Sequence, residues 1–346
     1  MALGKMALEH LEAELLLSKG GGIYYDGARV EANETEATLF IGLGGTGADM
    51  LIRIKNEVKR RMMLPQANGK ILSDTPTNIG FLAIDTDKTV VKKSWGTASF
   101  DQFGAEFCSI SVDDKQAIVT KWKSLAEANA EEAEWYDRIE AEAALPGAGG
   151  KRQIGRLLLF ENIKTVKDRL ERKIRGLISG GINKVNVIVV AGIAGGTGSG
   201  TFIDVAYLAR SVLEGLAIPG RNIFGYIILP DVNLLNGGNA DVLKRNGFAA
   251  LKELDYWMSP SKYEQDDQFI QNYGGGVVVR SVTSRPFSFC HLLSAQDMDG
   301  KPLSYNKVIS SMAENVFALI AGEADATSDS SGNSQMSQMY DNINEY

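Results

Sequence analysis

The chain has 346 residues, of which 44% are hydrophobic and 23% charged, with a formal net charge of −7. That composition is ordinary for a soluble globular protein of one large or two smaller domains, and the acidic balance argues against a nucleic-acid-binding surface. Two cysteines without a CxxC pair and only two histidines argue against a Cys/His zinc site, and no apolar run reaches the roughly 18 residues of a membrane-spanning helix.

Residues 1–35 read as an N-terminal extension. Leu8, Leu11, Leu15 and Leu16 recur there at helical spacing and predict a short amphipathic helix, docked on the chain itself or on a protein partner. It has no signal-peptide pattern, and Cys108 and Cys290, each in an apolar run, read as buried free thiols of a cytoplasmic protein. "ATLFIGLG" (37–44) predicts a strand running into the helix "GADMLIRIKNEVKRRMM", and "NIGFLAID" (78–85) predicts a second strand. Residues 112–144, rich in Ala and Glu, predict a helical insertion with an acidic, solvated face. "VNVIVVAGIA" (185–194) leads to "GTFIDVAYLARSVLEGL", and "NIFGYIILP" (222–230) leads through a loop to "DVLKRNGFAALKELDYWM". "QNYGGGVVVRSV" (271–282) predicts a small extra strand, and "FSFCHLLSA" (287–295) precedes the helix "LSYNKVISSMAENVFALIAG". The polar stretch 323–346 reads as a flexible tail or a linker to a further domain. Apolar strands alternating with amphipathic helices predict an α/β fold, a Rossmann-like parallel sheet with helices on both faces.

The most informative stretch is "AGGTGSG" (194–200), at the end of an apolar strand and the start of a helix. Glycine leaves no Cβ between main chain and ligand, and a helix N-terminus offers free N–H groups and a partial positive charge. Four glycines in six positions exceed what a tight turn needs, so the stretch reads as an anion site, with Thr197, Ser199 and Thr201 as hydroxyl donors. A second loop, "GLGGTG" (42–47), has the same setting. By itself it is a dinucleotide fingerprint, Gly42, Gly44 and Gly47, but the ribose-binding acid expected about 20 residues later is missing. A third glycine-rich segment, "LPGAGGKRQIGR" (145–156), is not a Walker A motif, since no Ser or Thr follows Lys151.

These loops, in this order, resemble the tubulin/FtsZ superfamily. "AGGTGSG" matches the tubulin signature loop, "IGLGGTGADML" (41–51) is similar to the first phosphate loop of the bacterial division-ring protein, and "FLAIDTD" (81–87) to its second strand and loop. "GAGGKRQIGR" (147–156) is similar to the third loop, with Gln153 in place of the usual ribose-contacting Glu, "GYIILPDV" (225–232) to the fifth strand and loop, and "RNGFAALKEL" (245–254) to the helix after it. Within the superfamily the chain is most similar to the divergent bacterial tubulin-like proteins, over about 37–320.

The resemblance implies a domain over 36–322 that binds GTP or GDP. Its diphosphate would lie on Gly44, Gly45, Thr46 and Gly47 and on Ala194, Gly195, Gly196, Thr197, Gly198 and Ser199, with Gly149 in the third loop. Asp85 and Asp87 would face the γ-phosphate or Mg²⁺, or else serve as loop caps. Arg156 would offset phosphate charge and Asp231 would approach the ribose. Tyr305 would stack on guanine, or is an ordinary helix-start aromatic. Asn246 would touch base or ribose, or cap its helix. The resemblance further implies head-to-tail self-association, with hydrolysis completed between subunits by an acid after the central helix, about 304–321. Glu323 and Asp325 lie near that place without the family's pattern, so the catalytic residue is left unassigned and the chain is expected to bind GTP better than it hydrolyses it. Two other readings stay open, a non-hydrolysing GTP-binding scaffold and a dinucleotide-dependent oxidoreductase. Substitution of Gly196 or Gly198 is expected to spare NAD binding if the oxidoreductase is right.

Overall fold

A computed structural model describes residues 36–62, 76–101, 105–136, 147–179, 181–259, 269–281, 285–295 and 303–321. The predicted N-terminal helix and the tail 323–346 lie outside them. Six strands form one sheet: β1 (Glu36–Leu43), β2 (Ile79–Asp85), β5 (Phe107–Ser109), β6 (Lys184–Gly192), β7 (Gly220–Ile228) and β10 (Phe289–Leu293). Two short hairpins stand apart from it, β3 (Ser94–Trp95) with β4 (Ala98–Ser99) and β8 (Phe269–Asn272) with β9 (Val278–Ser281). The helices are α1 (Gly44–Met62), α2 (Lys115–Glu127), α3 (Arg152–Glu161), α4 (Ile163–Leu177), α5 (Gly196–Gly215), α6 (Pro230–Leu234), α7 (Ala240–Met258) and α8 (Tyr305–Ala321).

The strand sequences explain the layers. β1 and β2 are buried at every position, and successive side chains leave on opposite faces. Leu39, Ile41, Val187 and Val189 enter one core, shared with α3, α4, α5 and α7. Phe40, Phe81, Ile188 and Val190 enter the other, shared with α1 and α8. Sheet neighbours run β10-β7-β6-β1-β2-β5, and every pairing is parallel. Counted within the sheet, this is the 3-2-1-4-5-6 order of a doubly wound fold, whose switch point lies between β1 and β6.

The predicted insertion is helical over α2, with one face packed on the protein and the other in water. Asp114 caps α2 by accepting from the Ala117 N–H, and Val119 and Trp122 are buried. The Trp122 Nε1–H donates to Glu161 Oε1 at 2.5 Å, and the rings of Trp122 and Trp135 pack on Phe160 at 5.4 and 4.4 Å. Aromatic burial against α3 outweighs the charged face; residues 137–144 lie outside the described set. The expected small strand at 271–282 is one arm of the β8–β9 hairpin, anchored by the buried Tyr273.

α3 and α5 meet main chain to main chain. A Cβ on Gly155 would lie 2.2 Å from the Gly196 carbonyl oxygen, and one on Gly200 would lie 2.1 Å from that of Arg152. Gly200→Ala is therefore expected to lower stability by about 1–3 kcal/mol, the cost of overpacking, even though alanine is the better helix former. Urea denaturation measures it, and a variant as stable as the parent contradicts this packing.

Candidate functional site

The parallel register sets Gly42 opposite Val190 and Leu43 opposite Ala191, so the loops after β1 and β6 leave the sheet at one level. One feeds α1 on one face and the other feeds α5 on the opposite face, which opens a crevice between them. Their main chains touch. Gly44 has φ +70°, and a Cβ there would lie 2.9 Å from the Gly198 N; a Cβ on Gly198 would lie 2.4 Å from the Gly192 carbonyl oxygen. Gly47 is packed in the same way against the Val190 carbonyl oxygen at 2.5 Å.

Gly45 and Gly195 behave differently, because a Cβ on either meets nothing within 4 Å. Gly195 is the N-cap of α5, with extended backbone (φ −82°, ψ 174°) that any residue adopts, and no side chain caps that helix. Neither α1 nor α5 has an acidic residue in its first turn. The fold does not require glycine at these two positions, yet bare backbone stands there, at Gly195 beside a helix start with no side-chain cap. Such a cradle fits an anion.

The side chains around the cradle are engaged in holding it. The hydroxyl of Thr197 lies 2.7 Å from that of Thr86 and 3.2 Å from Asp85 Oδ1, to which it donates. Ser199 Oγ donates back to the Gly195 carbonyl, and Thr201 Oγ1 to that of Thr197 at 2.8 Å. The hydroxyls expected to donate to phosphate thus serve the fold, leaving the main-chain N–H groups as donors. Asp85 is buried, and its Oδ1 also accepts the Asp87 N–H at 3.2 Å. Burial pushes its carboxyl above the ordinary 3.8, against the pull of these hydrogen bonds. Asp87 caps the 3₁₀ turn Lys88–Lys92 through the Thr89 N–H at 2.8 Å.

Arg156, expected to offset phosphate charge, is paired within the chain. Its guanidinium pairs bidentately with Asp204 at 2.9 and 3.0 Å, donates to Gln271 at 3.2 Å, and lies over the rings of Trp135 and Phe160. Asp204 is 3% exposed, and a carboxylate so buried requires a counter-charge. The pair lines a cleft of about 400 Å³ bounded by α3, α5, α7 and β8. Asn246 is not the cap of α7; that is Asn239, which accepts from the Asp241 and Val242 N–H groups. The Asn246 amide donates to the Gly150 carbonyl at 2.7 Å and the Ala194 carbonyl at 2.9 Å, tying the third loop, with Gly149 at φ +57°, to the signature loop.

Asp231 accepts from Ser294 Oγ at 2.5 Å and the Ala295 N–H at 2.8 Å, joining the loop after β7 to the end of β10. The residue of that loop that touches the first glycine loop is Asn233, whose amide donates to Thr46 Oγ1 at 2.8 Å. Asn233 has no spacing or motif that would have singled it out. Tyr305 opens α8, and its hydroxyl donates to Asp49 Oδ2 at 2.8 Å. The structure thus gathers Gly44–Gly47, Asp85, Ala194–Ser199 and Asn246 around the crevice and sets Arg156 in the adjoining cleft.

A family model described as "Tubulin like" matches residues 39–345. The chain belongs to the tubulin-like family. No curated protein matches it. Among solved structures it is similar to CetZ from Methanosaeta thermophila strain DSM 6194 (13% identity, TM-score 0.50, covering 89% of this chain and 59% of that one). It is also similar to CetZ2 from Haloferax volcanii in a GTPgS-bound protofilament (16%, 0.46, 85% and 61%). A third is TubZ from Bacillus thuringiensis serovar israelensis in a GTPyS-form protofilament (14%, 0.47, 90% and 62%). This tubulin-like chain spans less than two thirds of the length of those proteins.

The packing changes which glycines of the tubulin-like signature are informative. A Cβ on Gly196 would lie 2.7 Å from that of Ala148, and Gly198 is closed by the Gly192 carbonyl, so substitution there disturbs the fold whatever the ligand. Gly195 is the position that separates binding from folding.

Because folded Asp85 titrates above its unfolded value, folding favours the protonated form. Its contribution is retained below about pH 3.8 and is lost as pH rises through the folded value. Asp85→Asn is therefore expected to be more stable than the parent at pH 7, with the difference closing toward pH 3.8. Denaturation across that range measures it, and a less stable variant at pH 7 contradicts the assignment.

Proposed function

We propose that this chain binds a guanine nucleotide across Gly44–Gly47 and Gly195–Ser199 and assembles head to tail with further copies of itself, hydrolysis being completed where two copies meet. The observation that carries the reading is the pair of open glycines, Gly45 and Gly195, at the starts of α1 and α5 where the loops after β1 and β6 touch. A dinucleotide fingerprint uses the first loop alone, whereas here two loops form one cradle.

In this reading main-chain N–H groups of both loops hold the phosphates, and Tyr305 offers its ring to the base. Among the described residues no cluster of three or more His, Cys, Asp or Glu is placed to hold a metal. Were a Mg²⁺ ion to accompany the phosphates, the carboxylate of Asp85 would help to hold it, and the ion would offset phosphate charge. Phosphoryl transfer rests on positioning and charge stabilisation. The part assigned to a second copy is placing the attacking water. A contact that joins one face of a copy to a different face of the next propagates into a filament when its rotation does not close.

Ligand released by heat from the purified protein is expected to run as GDP or GTP on chromatography; NAD or FAD would overturn the reading. Gly195→Val, whose backbone suits valine, is expected to melt within about 4 °C of the parent and to release none. Phosphate release per chain is expected to climb with protein concentration. A flat, non-zero rate would place hydrolysis within single copies, and none at any concentration would leave a nucleotide-binding scaffold.

A further inference from the structure

We propose that Asp49 is a positioning residue for the nucleoside end of the ligand. It holds the ring of Tyr305 against the first glycine loop without touching the phosphates. The proposal rests on the guanine-nucleotide reading above.

Stacking needs only the face of an aromatic ring, and phenylalanine would supply one. The hydroxyl of Tyr305 therefore has a separate task. Its donation to Asp49 Oδ2 at 2.8 Å is a hydrogen bond to a carboxylate, the stronger kind. The phenol stays a donor, since burial, and then Asp49 itself, pushes its pKa upward. The other Asp49 oxygen is taken by Lys93 Nζ at 2.5 Å, so the carboxylate is held from two sides. Lys93 directly follows the 3₁₀ turn that Asp87 caps.

Asp49 is three residues beyond Thr46 on α1, a spacing that puts both on one helix face. Thr46 is held from its other side by Asn233 at 2.8 Å. One turn further along, Arg53 donates to Asn306 Oδ1 at 2.6 Å while stacked over Trp95. Two successive residues of α8, Tyr305 and Asn306, are thus pinned by Asp49 and Arg53. In the guanine-nucleotide reading this is the base side of the cradle.

The test compares GTP with inorganic tripolyphosphate, which has the phosphates and no nucleoside. Binding of each is measured by calorimetry on the nucleotide-stripped protein and on the Tyr305→Phe, Asp49→Ala and doubly substituted chains. Either single variant is expected to weaken GTP about tenfold, the worth of one strong hydrogen bond, and to leave tripolyphosphate within about twofold. The double variant is expected to be no weaker than Tyr305→Phe alone, because Asp49 acts through that hydroxyl, which also bonds to Thr46. Parallel losses for GTP and tripolyphosphate would make Asp49 merely structural and overturn the proposal, as would an unchanged GTP affinity in Asp49→Ala. A parent protein that binds tripolyphosphate but not GTP would instead bring down the guanine-nucleotide reading, and this proposal with it.

Discussion

The contact on which the site depends is main chain against main chain. Gly44 and Gly198 approach so closely that a methyl group on either would strike backbone, and neither carbonyls nor amides can move aside as a flexible side chain can. That approach is possible only at the switch point, where β1 and β6 are sheet neighbours whose loops turn to opposite faces. Once the two loops meet there, the starts of α1 and α5 converge, and the crevice follows from topology rather than from any one side chain. The Gly155–Gly196 and Gly200–Arg152 contacts carry the same economy one layer outward, fixing α3 against the first turn of α5.

Around this contact, side chains and main chain divide the labour. Thr197 and Asp85 tie the signature loop to the second loop. Asn246 ties it to the third, Asn233 ties the first loop to α6, and Asp231 ties α6 to the end of β10. Each tether uses a side chain to hold a loop in place. The N–H groups of the helix starts are left unspent, and those are the groups an anion needs. This explains why residues chosen for donor chemistry, such as Ser199, turn inward: a serine within a helix bonds most readily to the carbonyl four residues back, as it does to Gly195.

The sheet, the layers and the two glycine loops were legible because they follow local rules. Buried parallel strands are continuously apolar, and a loop that must approach another backbone needs glycine. The roles of single polar residues were not legible, because each depends on a partner far away in sequence. Nothing near Arg156 marks Asp204, 48 residues on, as its counter-ion. Asn246 reads as a cap candidate until the carbonyls of Gly150 and Ala194 are seen beneath it, and Asn239 is found doing the capping. The insertion was legible in part. Its Ala/Glu composition describes the face turned to water, while two tryptophans decide where it docks. Nor could sequence divide the glycines of the first and signature loops into those closed by packing and the two, Gly45 and Gly195, left open.

That division bears on the charge balance of the cradle. Each helix start presents roughly half an elementary charge, so two together offer about one. A nucleoside triphosphate carries several negative charges, and the backbone alone cannot offset them. In the proposed reading a cation would make up the shortfall, and the residue placed to help hold it is Asp85, buried behind the loops with its carboxyl pushed above the ordinary 3.8 by burial. A cation arriving with the phosphates would reverse that pressure, since a nearby positive charge favours the carboxylate. Asp85 would then strain the fold when the cradle is unoccupied and support it when ligand and cation are bound together. By this logic, binding and stability at the switch point are two readings of one electrostatic arrangement.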